Sequence, residues 1–277
     1  MKLFYVISLS ILSNCLLSKD FVAPDSSISK PGRSQSESYS KEALLVAESI
    51  LKSMVLIPEG KYNMGCTADQ GQNCSSDEHP VHSVSISSFY LSSVEVTQGW
   101  WMAIMRNNPA YNKRSEDFPV ESVSYLDVSM FIDSLNKLSG LTYRLPTEAE
   151  WEYSARGGNK ACSYLYSGSS DANEVAWTSN NSYSKSHVVR LKAANELGLF
   201  DMSGNVWEWV SDWYGKYTSA SQNDPRGPSS GIERVIRGGS WAGSPDFCRN
   251  SLRFRYLPEF KSSFIGFRLA LDHIEMK

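Results

Sequence analysis

The 277-residue sequence has little excess of either charge, few histidines and no apolar stretch long enough to cross a bilayer. Its formal net charge of −3 argues against nucleic-acid binding, which requires a clustered basic face. It contains no internal repeat, no P-loop and no Gly-rich dinucleotide turn, so solenoid architectures and phosphate cradles of that kind are excluded. The four histidines, His79, His82, His187 and His273, form no helical ligand pair; His79 and His82 flank Pro80-Val81 at a strand start and read as solvated. What is present is a hydrophobic fraction of 41%, ordinary for a soluble globular protein, together with 14 Tyr and 8 Trp. Rings in such number fill a core and also supply recognition surfaces.

Lys2 precedes an apolar run from Leu3 to Leu12, followed by Ser13-Asn14-Cys15. The run is half the ~20 residues that a membrane span needs and reads as a secretory signal. Its end resembles a bacterial lipobox, which implies that residues 1–15 are a lipoprotein signal ending at a lipidated Cys15; an ordinary cleaved signal is the alternative. The protein is then exported, held at the outer cell surface of a bacterium, and in contact with the membrane through its acyl chains alone. Residues 16–40, rich in Ser, Pro and charge, bury too little apolar area to offset chain entropy and read as a tether. Export permits disulfides among Cys66, Cys74, Cys162 and Cys248; the close spacing of Cys66 and Cys74 suits a local loop clip, with the pairing left open.

The folded domain is assigned to residues 41–277. Leu44, Ala47 and Leu51 recur at helical spacing, and Met54 to Ile57 reads as a strand running into the Pro58-Glu59-Gly60 turn. Thr97 is placed to cap a helix carrying Trp100, Trp101, Ile104 and Met105. Ser124 opens a second helix with Val128, Phe131, Ile132, Leu135 and Leu138 on one face and Gly140 past its end. Thr147 and Glu150 make a capping box for a third, which stops at Gly157-Gly158. The remainder is turn-rich, and long ordered loops in a compact domain are usually functional.

Six short stretches occur in one order: Ile57-Pro58-Glu59-Gly60 with Met64-Gly65, Val94-Glu95-Val96-Thr97, Arg144 through Tyr153, Gly204 through Trp209, Arg237-Gly238-Gly239-Ser240-Trp241, and Gly266-Phe267-Arg268. Together they resemble the formylglycine-generating enzyme and sulfatase-modifying-factor family. That resemblance implies an α+β, loop-rich variant of the C-type lectin fold with few helices and short strands. The family's oxidases bind copper through two thiolates, at the third and eighth positions after the motif serine. Here those positions are Gly243 and Cys248, so no copper and no catalysis are expected. The superfamily's iron-dependent sulfoxide synthases use a histidine-rich helical domain that has no counterpart before Met54. Asp201, Gly204, Val206 and Glu208 fall where the family binds a structural calcium, whose preference is for hard oxygen donors. The family's other calcium loop is not recognisable in Asn173-Glu174-Val175-Ala176-Trp177.

The segment framed by Trp241 and Gly266-Phe267-Arg268 narrows the resemblance to the variable proteins of diversity-generating retroelements, of the Treponema variable protein A type. These carry a binding segment diversified at adenine-rich codons, here 237–268, on a fixed scaffold to which Trp241, Cys248, Arg249, Arg253 and Ile265 would belong. The resemblance makes Ala242, Gly243, Ser244, Asp246, Phe247, Leu252, Phe254, Tyr256, Leu257, Phe260, Ser262, Ser263 and Phe264 the candidate ligand-binding residues. Alternation from Leu252 to Tyr256 further predicts a strand with one buried face. The ligand is an extracellular protein, peptide or glycan. Two other readings stand beside it, an oxidase acting on sulfatase cysteines and an envelope accessory protein with one fixed partner. If Cys15 carries the anchor, Cys15→Ser should move the protein from the membrane to the soluble fraction and abolish labelled-palmitate incorporation.

Overall fold

Helix α1 (Lys41–Ser53) begins after Ser40, whose hydroxyl accepts from the Ala43 amide and satisfies an open donor of the first turn. This computed structural model describes residues 40–273, so the leader, Cys15 and all of the tether but Ser40 lie outside the described residues. The buried stripe of α1 is Ala43, Ala47 and Ile50; Leu44 is exposed and Leu51 half-buried, so the expected face is rotated. Helix α2 (Gln98–Met105) is capped by Thr97, whose hydroxyl accepts from the Trp100 amide, and buries Trp101 against Phe131 and Phe267. Helix α3 (Tyr125–Ser139) starts with a Ser124–Asp127 capping box and ends at Gly140 in the left-handed region, with Val128, Phe131, Leu135 and Leu138 buried. Helix α4 (Glu148–Ala155) has the Thr147–Glu150 capping box, and all eight of its residues are buried. It is therefore an internal strut rather than an amphipathic surface helix.

The strands are short: β1 (Met54–Ile57), β2 (Gly60–Met64), β3 (His82–Ile86), β4 (Phe89–Ser92), β5 (Tyr143–Arg144), β6 (Ala176–Trp177), β7 (Ser203–Gly204), β8 (Trp207–Trp213), β9 (Gln222–Asn223), β10 (Arg234–Arg237), β11 (Arg253–Tyr256), β12 (Ile265–Phe267) and β13 (Ala270–Asp272). They form sheets in the orders β1-β4-β13-β5, β11-β10-β8-β12, β2-β3-β9 and β6-β7. One apolar core lies under α1–α3 and the second sheet; another surrounds α4 and the β1–β4 region. His82 on β3 is 4% exposed, so its solvated reading is overturned: alternation along β3 turns it inward with Val84 and Ile86.

Between β12 and β13 the chain changes sheets, and Arg268 marks the crossing. It is fully buried, makes two bonds of 2.7 Å to Glu208 on β8, and donates to the Ser92 carbonyl on β4. Similar buried pairs tie other loops to α4 and its surroundings: Arg237 to Glu152, Arg253 to Glu148 and Arg249 to Glu78. Removing one partner of such a pair leaves an uncompensated buried charge, at a cost of about 3–5 kcal/mol. Arg268→Met should lower the unfolding free energy in urea by about that amount, and adding Glu208→Leu should recover much of the loss.

Candidate functional site

The segment after β10 is shaped by two glycines. Gly238 and Gly239 have φ of 96° and 76°, and a Cβ on Gly239 would meet the Cys248 sulfur at 2.5 Å and the Phe247 carbonyl oxygen at 2.8 Å. Only glycine permits this close crossing. The chain then passes Trp241, whose amide donates to the Asn205 carbonyl and whose indole N–H donates to the Ser263 carbonyl at 3.0 Å. One ring thus closes the start of the segment onto its end. A single tight turn, Pro245–Cys248, leads to Arg249, held by Glu78 at 2.7 and 2.8 Å. Gln70 accepts from the Ser251 amide, and the loop carrying Gln70 is closed by a Cys66–Cys74 disulfide. The backbone of the segment is pinned from below at several points.

Its side chains divide between the surface and partial burial, and Tyr256, Phe260 and Phe264 pack against the core. Ala242, Asp246, Phe247, Phe254 and Leu257 are exposed, and Gly243, Ser244, Tyr256, Phe260, Ser262, Ser263 and Phe264 are half-buried. Leu252 is a correction: at 6% exposure it belongs to the core beside Trp207 and Ile236. The alternation expected for β11 fails at Arg253 and Phe254. Arg253 points inward because Glu148 neutralises it there, with bonds of 2.8 and 2.6 Å, and this turns Phe254 outward. Phe254 and Tyr256 lie 5.4 Å apart and Tyr256 stacks on Phe260 at 4.1 Å, a row of rings that runs from the exposed Phe254 to side chains half-buried against the core. Neighbouring Tyr183, 86% exposed, did not figure among the sequence candidates. Its loop is fastened to the segment through the Ser182 hydroxyl on the Trp241 carbonyl and the Ser179 amide on the Gly243 carbonyl. An aromatic flanked by Asn and Ser in a turn-rich stretch was the available signal.

Cys248 is fully buried beneath Gly239 beside Tyr166 and Val175, and burial pushes its thiol up to about 12. A thiol held protonated is a poor nucleophile and ligand. A side chain at position 243 would reach the Phe247 ring at 3.4 Å, and glycine supplies no donor there.

The expected calcium ligands are brought together unevenly. Asp201 is 2% exposed in a left-handed turn; its Oδ2 accepts from the Arg190 amide and its Oδ1 is buried without a partner. Glu208 is different, since Arg268 holds both of its oxygens and the Trp151 indole donates to one. Glu95, absent from the sequence set, is fully buried with one oxygen bonded to Asn205 and the other unpartnered. Burial, then Asp201 and Glu208, raise the Glu95 carboxyl well above its usual range; burial is also the main cause lifting Asp201 to about 6. Asp201 and Glu95 each keep an open oxygen, but Arg268 occupies Glu208, and the three carboxylates do not form a group whose ligand atoms all lie within 4.8 Å of one another. No side-chain donor comes from Gly204 or Val206, and nothing in the geometry assigns their carbonyls a ligand role. In the Asn173 loop, the Lys192 ammonium bonds the Asn173 carbonyl and lies over the Trp177 ring, so a protein cation is already there.

A small mixed α+β scaffold with short strands, internal ion pairs and a long displayed loop defines a C-type-lectin-like fold of the formylglycine-generating type. The chain belongs to the family of the Sulfatase-modifying factor enzyme 1-like domain, which matches residues 42–273. Among solved structures it is similar to Treponema denticola variable protein 1, with 32% identity, a TM-score of 0.73, and coverage of 79% of this chain and 95% of that one. It is also similar to PvdO from Pseudomonas aeruginosa, with 28% identity, a TM-score of 0.71, and coverage of 79% and 94%. The mouse (Mus musculus) formylglycine-generating enzyme is 28% identical over 81% of this chain and 76% of its own length. The serine/threonine-protein kinase pkn1 of Chlamydia caviae is 31% identical over 80% of this chain, which spans only 38% of that relative.

Without a cation, the raised Asp201 carboxyl favours its protonated form in the fold, so this group's contribution to stability falls as pH rises from about 4 to about 6. A calcium ion held by Asp201 would reverse the preference, and at 100 times its Kd it would add about 2.7 kcal/mol at pH 8 and much less at pH 5. Asp201→Asn should remove that response in thermal melts.

Proposed function

We propose that this chain is a non-catalytic, lipid-anchored bacterial surface protein that binds an extracellular protein, peptide or glycan through side chains between Ala242 and Phe264. The observation that carries the reading is the division of labour within the segment. Its inward side chains, Cys248, Arg249, Leu252 and Arg253, are buried and bonded or packed, whereas Phe247, Phe254 and Leu257 face outward. Such a backbone tolerates changes in the outward set without losing its course. Rigid aromatic rings supply contact area at low entropic cost, and small Ser and Gly neighbours adapt between them. The likeness to Treponema denticola variable protein 1 supports diversification of this segment by a retroelement. Calcium at Asp201 and Glu95 would hold the loops beside Asn205 still.

The oxidase reading draws on family membership and the likeness to the mouse enzyme. Against it stand Gly243 at one thiol position and a buried, protonated Cys248 at the other. Cuprous ion added to the protein should bind at neither position, and oxygen uptake with a cysteine-containing sulfatase peptide should stay at background; uptake that depends on Cys248 would restore the enzyme. A reverse transcriptase gene nearby, with a template repeat differing only at adenines, is the expected genomic context.

The division of labour makes a direct prediction for stability. Phe254→Ser and Leu257→Ser should each change the unfolding free energy by no more than about 0.5 kcal/mol. Leu252→Ala, a core truncation a few residues away, should cost about 2–5 kcal/mol. Equal losses at the three positions would mean that the segment is core and not a display surface.

A further inference from the structure

On the opposite face of β11 from the ring row lies a cleft of about 420 Å³, lined by Arg253, Glu148, Asp212, His82, Tyr217 and Lys216 among others. It sits where the start of α4, the end of β8 and the first residue of β3 meet. Its carboxylates differ sharply. Glu148 is neutralised by Arg253 and also accepts from the Tyr217 hydroxyl at 3.2 Å. Asp212 is 4% exposed and has only neutral donors: the Glu148 amide at 2.8 Å and the Ser211 hydroxyl at 3.0 Å, both on Oδ2. Its Oδ1 takes no hydrogen bond.

His82 supplies a second open acceptor. Its Nδ1 lies 3.0 Å from the Pro80 carbonyl, an oxygen that can only accept, so Nδ1 carries the ring proton and Nε2 is left without a partner. A carboxylate and an imidazole on residues each 4% exposed thus line one cleft, and among the described residues neither Asp212 Oδ1 nor His82 Nε2 has a donor. A buried charge without a partner is costly unless a cation reaches it. The group that meets both needs is a primary ammonium, which brings one positive charge and three N–H donors.

We propose that this cleft is a second binding site, separate from the displayed segment, and that it takes a primary ammonium group such as a lysine side chain or a polyamine presents. Asp212 Oδ1 accepts one N–H and compensates the charge; His82 Nε2 accepts another. The charged groups around Asp212 are Glu148, Glu150 and Arg253 from α4 and β11, Arg234 from β10, and Lys216 and Arg226 at the mouth. Burial first, then Glu148, lift the Asp212 carboxyl to about 7. The ammonium needs the ionised acid, so binding is lost as pH falls through 7.

The test is calorimetric titration of the full chain with spermidine and, separately, with Nα-acetyl-lysine amide. Either amine should bind at pH 8 and weaken about tenfold by pH 6. Which of the two binds more tightly identifies the source. The trimethylated lysine probe, which keeps the charge but has no N–H, should bind at least tenfold more weakly. Asp212→Asn and His82→Gln should each weaken binding at least tenfold while the melting transition stays cooperative. Three results would overturn the proposal: no binding of either amine at pH 8, undiminished binding by a folded Asp212→Asn, or binding seen only after Lys216→Met. The last would mean that Lys216 itself occupies the acceptors.

Discussion

The structure depends on a set of buried arginine–carboxylate pairs. Loops occupy so much of this domain that apolar layers alone cannot fix their course. Arg237, Arg249, Arg253 and Arg268 each reach from a loop or short strand to a carboxylate at or near the centre, and each is 4% exposed or less. The planar guanidinium makes two parallel bonds to a carboxylate, which sets orientation as well as distance. Arg237 also donates to the carbonyls of Asn250, Ser251 and Leu252, so one side chain fixes three successive residues of the segment after β10. Desolvation makes such pairs weak as net stabilisers, but a mispaired chain would strand a charge, and that penalty enforces one arrangement.

Helix α4 gathers these constraints. Glu148 and Glu152 face the β10–β11 side, Glu150 turns to Arg144 at the helix start, and Trp151 donates to Glu208. A helix with three acids and no polar face to solvent is unstable on its own terms. It is held because each acid meets an arginine or a capped amide. On β11 the inward Arg253 leaves the neighbouring Phe254 outward, so one short strand carries both a buried ion pair and an exposed ring.

Much of this was legible in local chemistry. Caps at Thr97, Ser124 and Thr147 located three helices because side-chain oxygens satisfy open amides wherever they occur. The missing thiol at Gly243 could be read by counting. The helical face of α1 was misjudged, because Leu44 is apolar but the space beside α2 and α3 favours the smaller Ala43 and Ala47. Leu252, expected at the binding surface, is buried, and Phe254 is exposed while Arg253 beside it is buried, since an apolar side chain is a good guide to burial only where no carboxylate waits inside. His82, at a strand start where a solvated ring is expected, is buried through its register on β3.

The sequence by itself determined which local structures can form and which residue types stand at the motif positions, because caps and glycine turns act over a few residues. The tertiary structure alone decided which charges are buried together. Glu95 joins Asp201 across more than a hundred residues, Arg253 finds Glu148, and Asp212 is left with an open oxygen. Those outcomes rest on Coulomb interactions and desolvation at distances that chain order does not encode locally.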